Sequence, residues 1–278
     1  RLFIFEHTGL YSLPISVFLT NEKIHFVLIP GLELKKSLGI ARGKNDKVDA
    51  QAIALYAYRR REELIPYKMP CKNLIELRKL LSLRDKLVRQ RSGFMTTKRE
   101  SAIFIAPEEQ PTYFCVHDEM IVFLSKMIRE VEQKVREIFR GEEKLQSLFK
   151  LVTSIKGVGE QTAWHIIVYT SAFTLFENSR KFASYAGVAP FPYQSGISIR
   201  GKTKVHQFAN KKFKSLLSNC ATSAINCNPE MRIYYNNRIS KGKDKMSTLN
   251  VIRNKLLSRI FAVVKRGTPY VNTVAYAA

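Results

Sequence analysis

Three acids near the start of the chain are of the types and spacing that could hold a divalent cation. Asp46 and Asp49 stand three residues apart and fall in line with Ala50 and Ile53, because 46 to 50 and 49 to 53 are both i, i+4 steps. On a helix they therefore extend an apolar stripe that continues through Ala54 and Ala57. Two carboxylates aimed inward beside a sheet need a reason to stay charged, and a bound cation supplies one. An ordinary helix start explains them too, with Asp46 as N-cap and Asp49 three residues on, favoured by capping and by the helix dipole. Taken alone, the pair fits that simpler explanation better. Glu6 shifts the balance. It closes the apolar run Leu2–Phe5 just ahead of Thr8-Gly9, where open α/β sheets place active-site residues. Glu6, Asp46 and Asp49 together make about the number of acids that a two-metal phosphoryl-transfer site uses to hold ions ~3.5–4 Å apart.

A different chemistry is suggested in the second half. Ser195-Gly196 follows Pro190-Phe191-Pro192-Tyr193-Gln194 and precedes a cationic run of Arg200, Lys202, Lys204, His206, Lys211, Lys212 and Lys214. Cations beside a hydroxyl neutralise a phosphodiester and stabilise the charge that builds on its oxygens during attack. For an isolated Ser-Gly, a turn hydroxyl bonded to its own backbone is the commoner arrangement, and Tyr193 and Ser198 are rival nucleophiles on the same segment. Upstream, Ile155-Lys156-Gly157-Val158-Gly159-Glu160 resembles the turn of a helix-hairpin-helix module, whose glycines let backbone N–H groups at a helix start meet a phosphate. A tight helix-helix turn without a ligand has the same pattern.

The elements that must position these residues begin as α/β. Strand-like runs at 2–5 and 25–30 flank a helix from Leu13, and a loop marked by Gly31, Gly39 and Gly43 leads to a helix from about Asp46 to Arg60. From Lys72 to about Arg99 the chain is helical and very basic, and 107–111 breaks it. A second long helix then repeats Ile121, Leu124, Ile128, Val131, Val135 and Ile138 with a/d spacing. That stripe fits two arrangements equally well: an intermolecular coiled coil, or a hairpin packed on Leu74, Leu77, Leu81 and Val88 of the same chain. The remainder from Leu151 reads as mostly helical, with a Gly/Pro/Ser-rich segment at 187–201. Three regions result, 1–68, 69–150 and 151–278.

Composition sets the class of partner. With 46 Lys+Arg against 23 Asp+Glu, a formal net charge of +23 over 278 residues favours polyanions, while 45% hydrophobic residues suffice for buried cores. No run approaches the ~18 apolar residues of a membrane span, and Arg1–Glu6 lacks a signal-peptide cleavage region, so a cytoplasmic protein without a membrane partner is expected. The four cysteines show no zinc spacing and read as reduced thiols. A strand-like run at the first residues, with no initiator Met, predicts that the sequence begins inside a domain.

Five segments in order resemble the DEDD transposases of the IS110 family, relatives of the pilin-gene invertases. They are Phe5-Glu6-His7-Thr8-Gly9-Leu10-Tyr11, Lys44-Asn45-Asp46-Lys47-Val48-Asp49-Ala50, the turn at Gly157, the stretch 182–190 with Ser195-Gly196, and Lys241-Gly242-Lys243 with Lys255-Leu256-Leu257. The resemblance implies an α/β plus α protein. Its parts would be a truncated RuvC-like, RNase H-type domain, a long helical coiled-coil linker and a mostly helical C-terminal transposase domain with a helix-hairpin-helix-like motif. It further implies Mg²⁺ held by Glu6, Asp46 and Asp49, with a further acid on a strand ahead of Arg1, and Ser195 as the nucleophile that links covalently to DNA. Nucleic-acid contacts would come from Lys44, Gly157, Gly159, Arg200, Lys202, Lys204, Lys211 and Lys212. The implied partners are donor and target DNA, a guide (bridge) RNA and further copies of the chain in a dimer or tetramer, in the bacterial nucleoid. Ala209-Asn210, Phe213-Lys214 and Ser247-Thr248 depart from the family pattern. A non-catalytic nucleic-acid binder and a metal-only nuclease are the alternative functions.

Overall fold

A computed structural model describes residues 2–37, 45–195, 199–205 and 209–271, with the backbone alone at 193–195, 199, 200 and 202–204. The chain forms two compact units, Arg1–Cys71 and Lys72–Ala278. Within the second unit, Leu74, Leu77, Leu81, Val135 and Phe139 share one apolar core with Trp164, Phe182, Phe213 and Leu256.

In the first unit, β1 (Phe3–His7), α1 (Leu13–Asn21), β2 (Phe26–Pro30), α2 (Gly31–Ser37) and α3 (Asp46–Arg59) follow one another. The strands pair in parallel, with Phe3 opposite Phe26 and Glu6 opposite Ile29. A parallel pair needs a crossover, and α1 supplies it. Pro14 sits in the first turn of that helix, where its missing N–H costs nothing. Val27, Ile29, Leu34 and Tyr56 make the core. Phe5 stacks on Phe26 at 5.6 Å between ring centroids, and the Tyr67 N–H donates to the Phe26 carbonyl at 2.8 Å.

The orientation expected for α3 is not the one observed. Tyr56 and Ala57 are buried and Ile53 is half-buried, whereas Asp46, Asp49, Ala50 and Ala54 are exposed. The large ring of Tyr56 sets the buried side, and the alanines follow no stripe of their own.

In the second unit α4 (Lys72–Ser101) and α5 (Pro111–Gly141) form an antiparallel hairpin. Asn73 donates to Glu142 at 2.8 Å at one end, and the hydroxyls of Ser101 and Tyr113 lie 3.0 Å apart at the other. Leu124, Ile128, Val135 and Phe139 of α5 are buried. Of the two arrangements open to the heptad stripe, packing within the chain is the one present. The remaining elements are α6 (Glu143–Thr153), α7 (Glu160–Tyr169), α8 (Ser179–Tyr185), β3 (Pro190–Ser195), β4 (Ile199–Val205), α9 (Lys211–Cys227), α10 (Pro229–Ser240) and α11 (Lys245–Arg266). The Gly/Pro/Ser-rich segment is thus an antiparallel β-hairpin. Its register shifts between Phe191 and Tyr193, at Pro192, which lacks the N–H that a regular ladder would use. No helix among the described residues is long and apolar enough to cross a membrane.

Candidate active site and nucleic-acid interface

Glu6 lies towards the carboxyl end of β1, where its carboxylate occupies the space above Gly31: a Cβ at Gly31 would collide with Glu6 Oε1. The helix bearing the two aspartates packs against the same strand. Asn45, not Asp46, is the N-cap of α3, and its side chain accepts from the Lys47 N–H at 3.0 Å. Asp46 and Asp49 occupy the first turn, where the helix dipole favours them, but they point to solvent instead of inward. Among the described residues no group of three or more His, Cys, Asp or Glu side chains could hold a metal ion. Lys44 lies outside the described residues.

Ser195 is the last residue of β3, paired with Ile199 across the hairpin, while Gln194 pairs with Arg200. Successive strand positions alternate between faces, so position 195 falls on one face with 199, and position 200 falls on the other with 194. The side chains of Ser195, Arg200, Lys202 and Lys204 lie outside the described residues, as do Ser198 and His206.

The turn between α6 and α7 carries two glycines in different settings: Gly157 packs on the protein, and Gly159 is exposed. Gly157 has φ +97°, and a Cβ there would stand 2.6–2.8 Å from the Cβ, Cα and N of Ala224 on α9. Its glycine is required by close packing of the turn on that helix. Gly159 is the N-cap of α7. Burial pushes the Cys220 thiol up, against hydrogen bonds from Thr162 and the Gly159 backbone, while a Cβ at Gly159 would stand in open space. Glu160, in the first turn, takes a bidentate pair from Arg136, both contacts at 2.8 Å.

Lys211 is exposed at the start of α9, whereas Lys212 is committed to the protein: its Nζ pairs with Asp85 Oδ1 on α4 at 2.5 Å. Asp85 Oδ2 also lies 3.5 Å from Nε2 of buried His165, whose Nδ1 is 2.8 Å from the Gln161 carbonyl oxygen. Burial raises the Asp85 pKa, but hydrogen bonds from His165 and Lys212 outweigh it and hold the carboxyl below its ordinary value.

Asp85 went unnoticed in the sequence, as did three residues of α11. Asn250 and Asn254 each donate Nδ2 to the Val188 carbonyl oxygen, at 2.8 and 2.9 Å, and Arg253 donates to Asn250. Two amides one turn apart on one helix, beside an arginine, were the available signal.

Comparison with known proteins extends this geometry. A family profile of the DEDD type, described as Transposase, matches residues 2–100, and one described as Transposase IS116/IS110/IS902 family matches residues 149–236. The pilin gene-inverting proteins of Moraxella lacunata and Moraxella bovis are each 28% identical over 236 residues, covering 84% of this chain and 70% of the relative. The insertion element IS110 uncharacterized 43.6 kDa protein of Streptomyces coelicolor is 28% identical over 193 residues, covering 66% of this chain and 47% of the relative. With both profiles in succession and Ser195 inside the second, the chain belongs to the IS110 family of DNA transposases.

Proposed function

We propose that the chain recombines DNA through a covalent serine intermediate at Ser195, as part of an RNA-guided transposase. The observation that supports this most is the place of Ser195 at the end of β3, inside the matched transposase region. In the proposed step the Oγ attacks a backbone phosphorus, an Oγ–P bond forms, and the P–O3′ bond breaks. The departing 3′ oxygen takes up the proton that the hydroxyl loses. The phosphoserine ester conserves the bond energy, so attack by a 3′-hydroxyl on the same phosphorus rejoins DNA without an external energy source.

An unassisted serine hydroxyl is a weak nucleophile and needs a base or neutralising charge at the phosphate. We assign that help to the cations that follow Gly201 and to groups of a second copy in a dimer or tetramer. Dependence on a divalent ion, Mg²⁺ in the first instance, fits the DEDD-type domain, with Glu6, Asp46 and Asp49 as the acids concerned. The net charge of +23 supports a guide RNA and DNA as partners. Ser195→Ala should retain nucleic-acid binding and lose both the trapped protein-DNA adduct and strand exchange, while Tyr193→Phe and Ser198→Ala keep the adduct. Mass spectrometry of digested adducts that finds DNA on Tyr193 or Ser198 would overturn the assignment.

A further inference from the structure

The base of the β3–β4 hairpin is held by a polar cluster containing a buried cation without an acid. Arg253, on α11, is 4% exposed. Its Nε has no partner, and the guanidinium donates to Asn250 Oδ1 at 3.3 Å, a neutral acceptor. Among the described residues no carboxylate pairs with it, and burial alone pushes its pKa down. A buried charge left in this state is costly.

What the guanidinium accomplishes here is the orientation of one amide. Arginine has only donors, so the end of Asn250 turned to it must be Oδ1, and Nδ2 is thereby turned to the Val188 carbonyl oxygen, 2.8 Å away. Asn254 donates to the same oxygen at 2.9 Å and to the Asn250 carbonyl at 2.9 Å, so both lone pairs of the Val188 oxygen have a donor. Two residues later β3 begins. The far end of the hairpin is tied to the same place. The Asn210 N–H donates to the Tyr185 carbonyl at 2.9 Å, and Asn210 Nδ2 donates to the Tyr185 hydroxyl at 3.0 Å. Gly187, at φ +68°, packs so closely on Ala209 that a Cβ would collide with it.

We propose that Arg253, Asn250 and Asn254 are positioning residues for DNA recombination, fixing the angle at which the hairpin presents Ser195. The inference rests on the serine reading above. Pro190 and Ser195 are separated by about 16 Å of strand at ~3.3 Å per residue. A tilt of about 3–4° at the base therefore moves the tip by about 1 Å, a misplacement that costs about 10²-fold in rate.

The full chain carrying Asn250→Asp with Asn254→Ala separates positioning from bulk stability. The new carboxylate gives Arg253 its missing counter-charge, while both donors to Val188 are lost. Relative to Asn254→Ala alone, Tm should hold or rise. Relative to wild type, DNA affinity should stay within about twofold, adduct formation at Ser195 should slow about 10²-fold, and amide exchange in 190–205 should quicken. A double variant with unchanged Tm and a wild-type adduct rate overturns the inference. If the wild-type chain forms no adduct at Ser195, the serine reading fails by itself. Hairpin exchange then decides the cluster's role, and unchanged protection rejects it.

Discussion

At the scale of single residues, Asp85 ties three helices together through contacts 80 and 127 residues away in sequence. Its carboxyl is pushed up by burial but held lower, on balance, by His165 and Lys212. A depressed folded-state pKa contributes stability that is present above the unfolded value, about 3.9, and is lost as pH falls through the folded value. Asp85→Asn should therefore lower unfolding free energy by about 1–3 kcal/mol at pH 7. The gap to wild type should narrow as the pH is taken below about 4. Urea melts across that range test it, and a gap independent of pH would assign the loss to packing.

At the scale of elements, two substitutions probe how helices meet. Gly157→Ala combines a left-handed backbone with a Cβ forced against α9, and should cost about 2–4 kcal/mol in a denaturant titration. A neutral outcome would mean that the turn moves away from Ala224 freely. Ile128→Asp with Val135→Asp places charges on the face of α5 that is buried in the hairpin. Loss of cooperative unfolding, seen by circular dichroism, is the expected result; a folded chain that merely falls to lower mass would restore the intermolecular seam. These long helices were legible in sequence because their apolar period persists for many turns, and the break at 107–111 is marked by proline. The direction of α3 was not, since alanines at 50, 54 and 57 define a face only weakly and Tyr56 overrode them. The β-hairpin was hidden for another reason: its alternation is interrupted at Pro192, where the paired strands also shift register. Asn250 and Asp85 could not have been matched to partners, because Val188 and Lys212 lie 62 and 127 residues away from them.

At the scale of the whole molecule, the charge of +23 makes salt the most direct probe of nucleic-acid binding. With a log-log slope near −0.9 per neutralised phosphate, six to ten contacts imply a loss of roughly 10³- to 10⁵-fold between 50 and 200 mM salt. A titration in which affinity barely changes would remove the electrostatic basis of the interface. The boundary after Cys71 bears on a different matter, the relation between what is inherited and what folds. The N-terminal family profile runs on to residue 100, almost to the end of α4, whereas the compact unit ends at Cys71. A gene cut at the end of the profile would remove Leu74, Leu77 and Leu81 from the larger core, to which all three belong. A fragment from Lys72 should melt cooperatively and one from Ser101 should not. Exchange of N-terminal halves between relatives should then succeed when the crossover lies near 71 and fail near 100, so the lineage of this transposase can be shuffled only at a point that the end of the family profile does not mark.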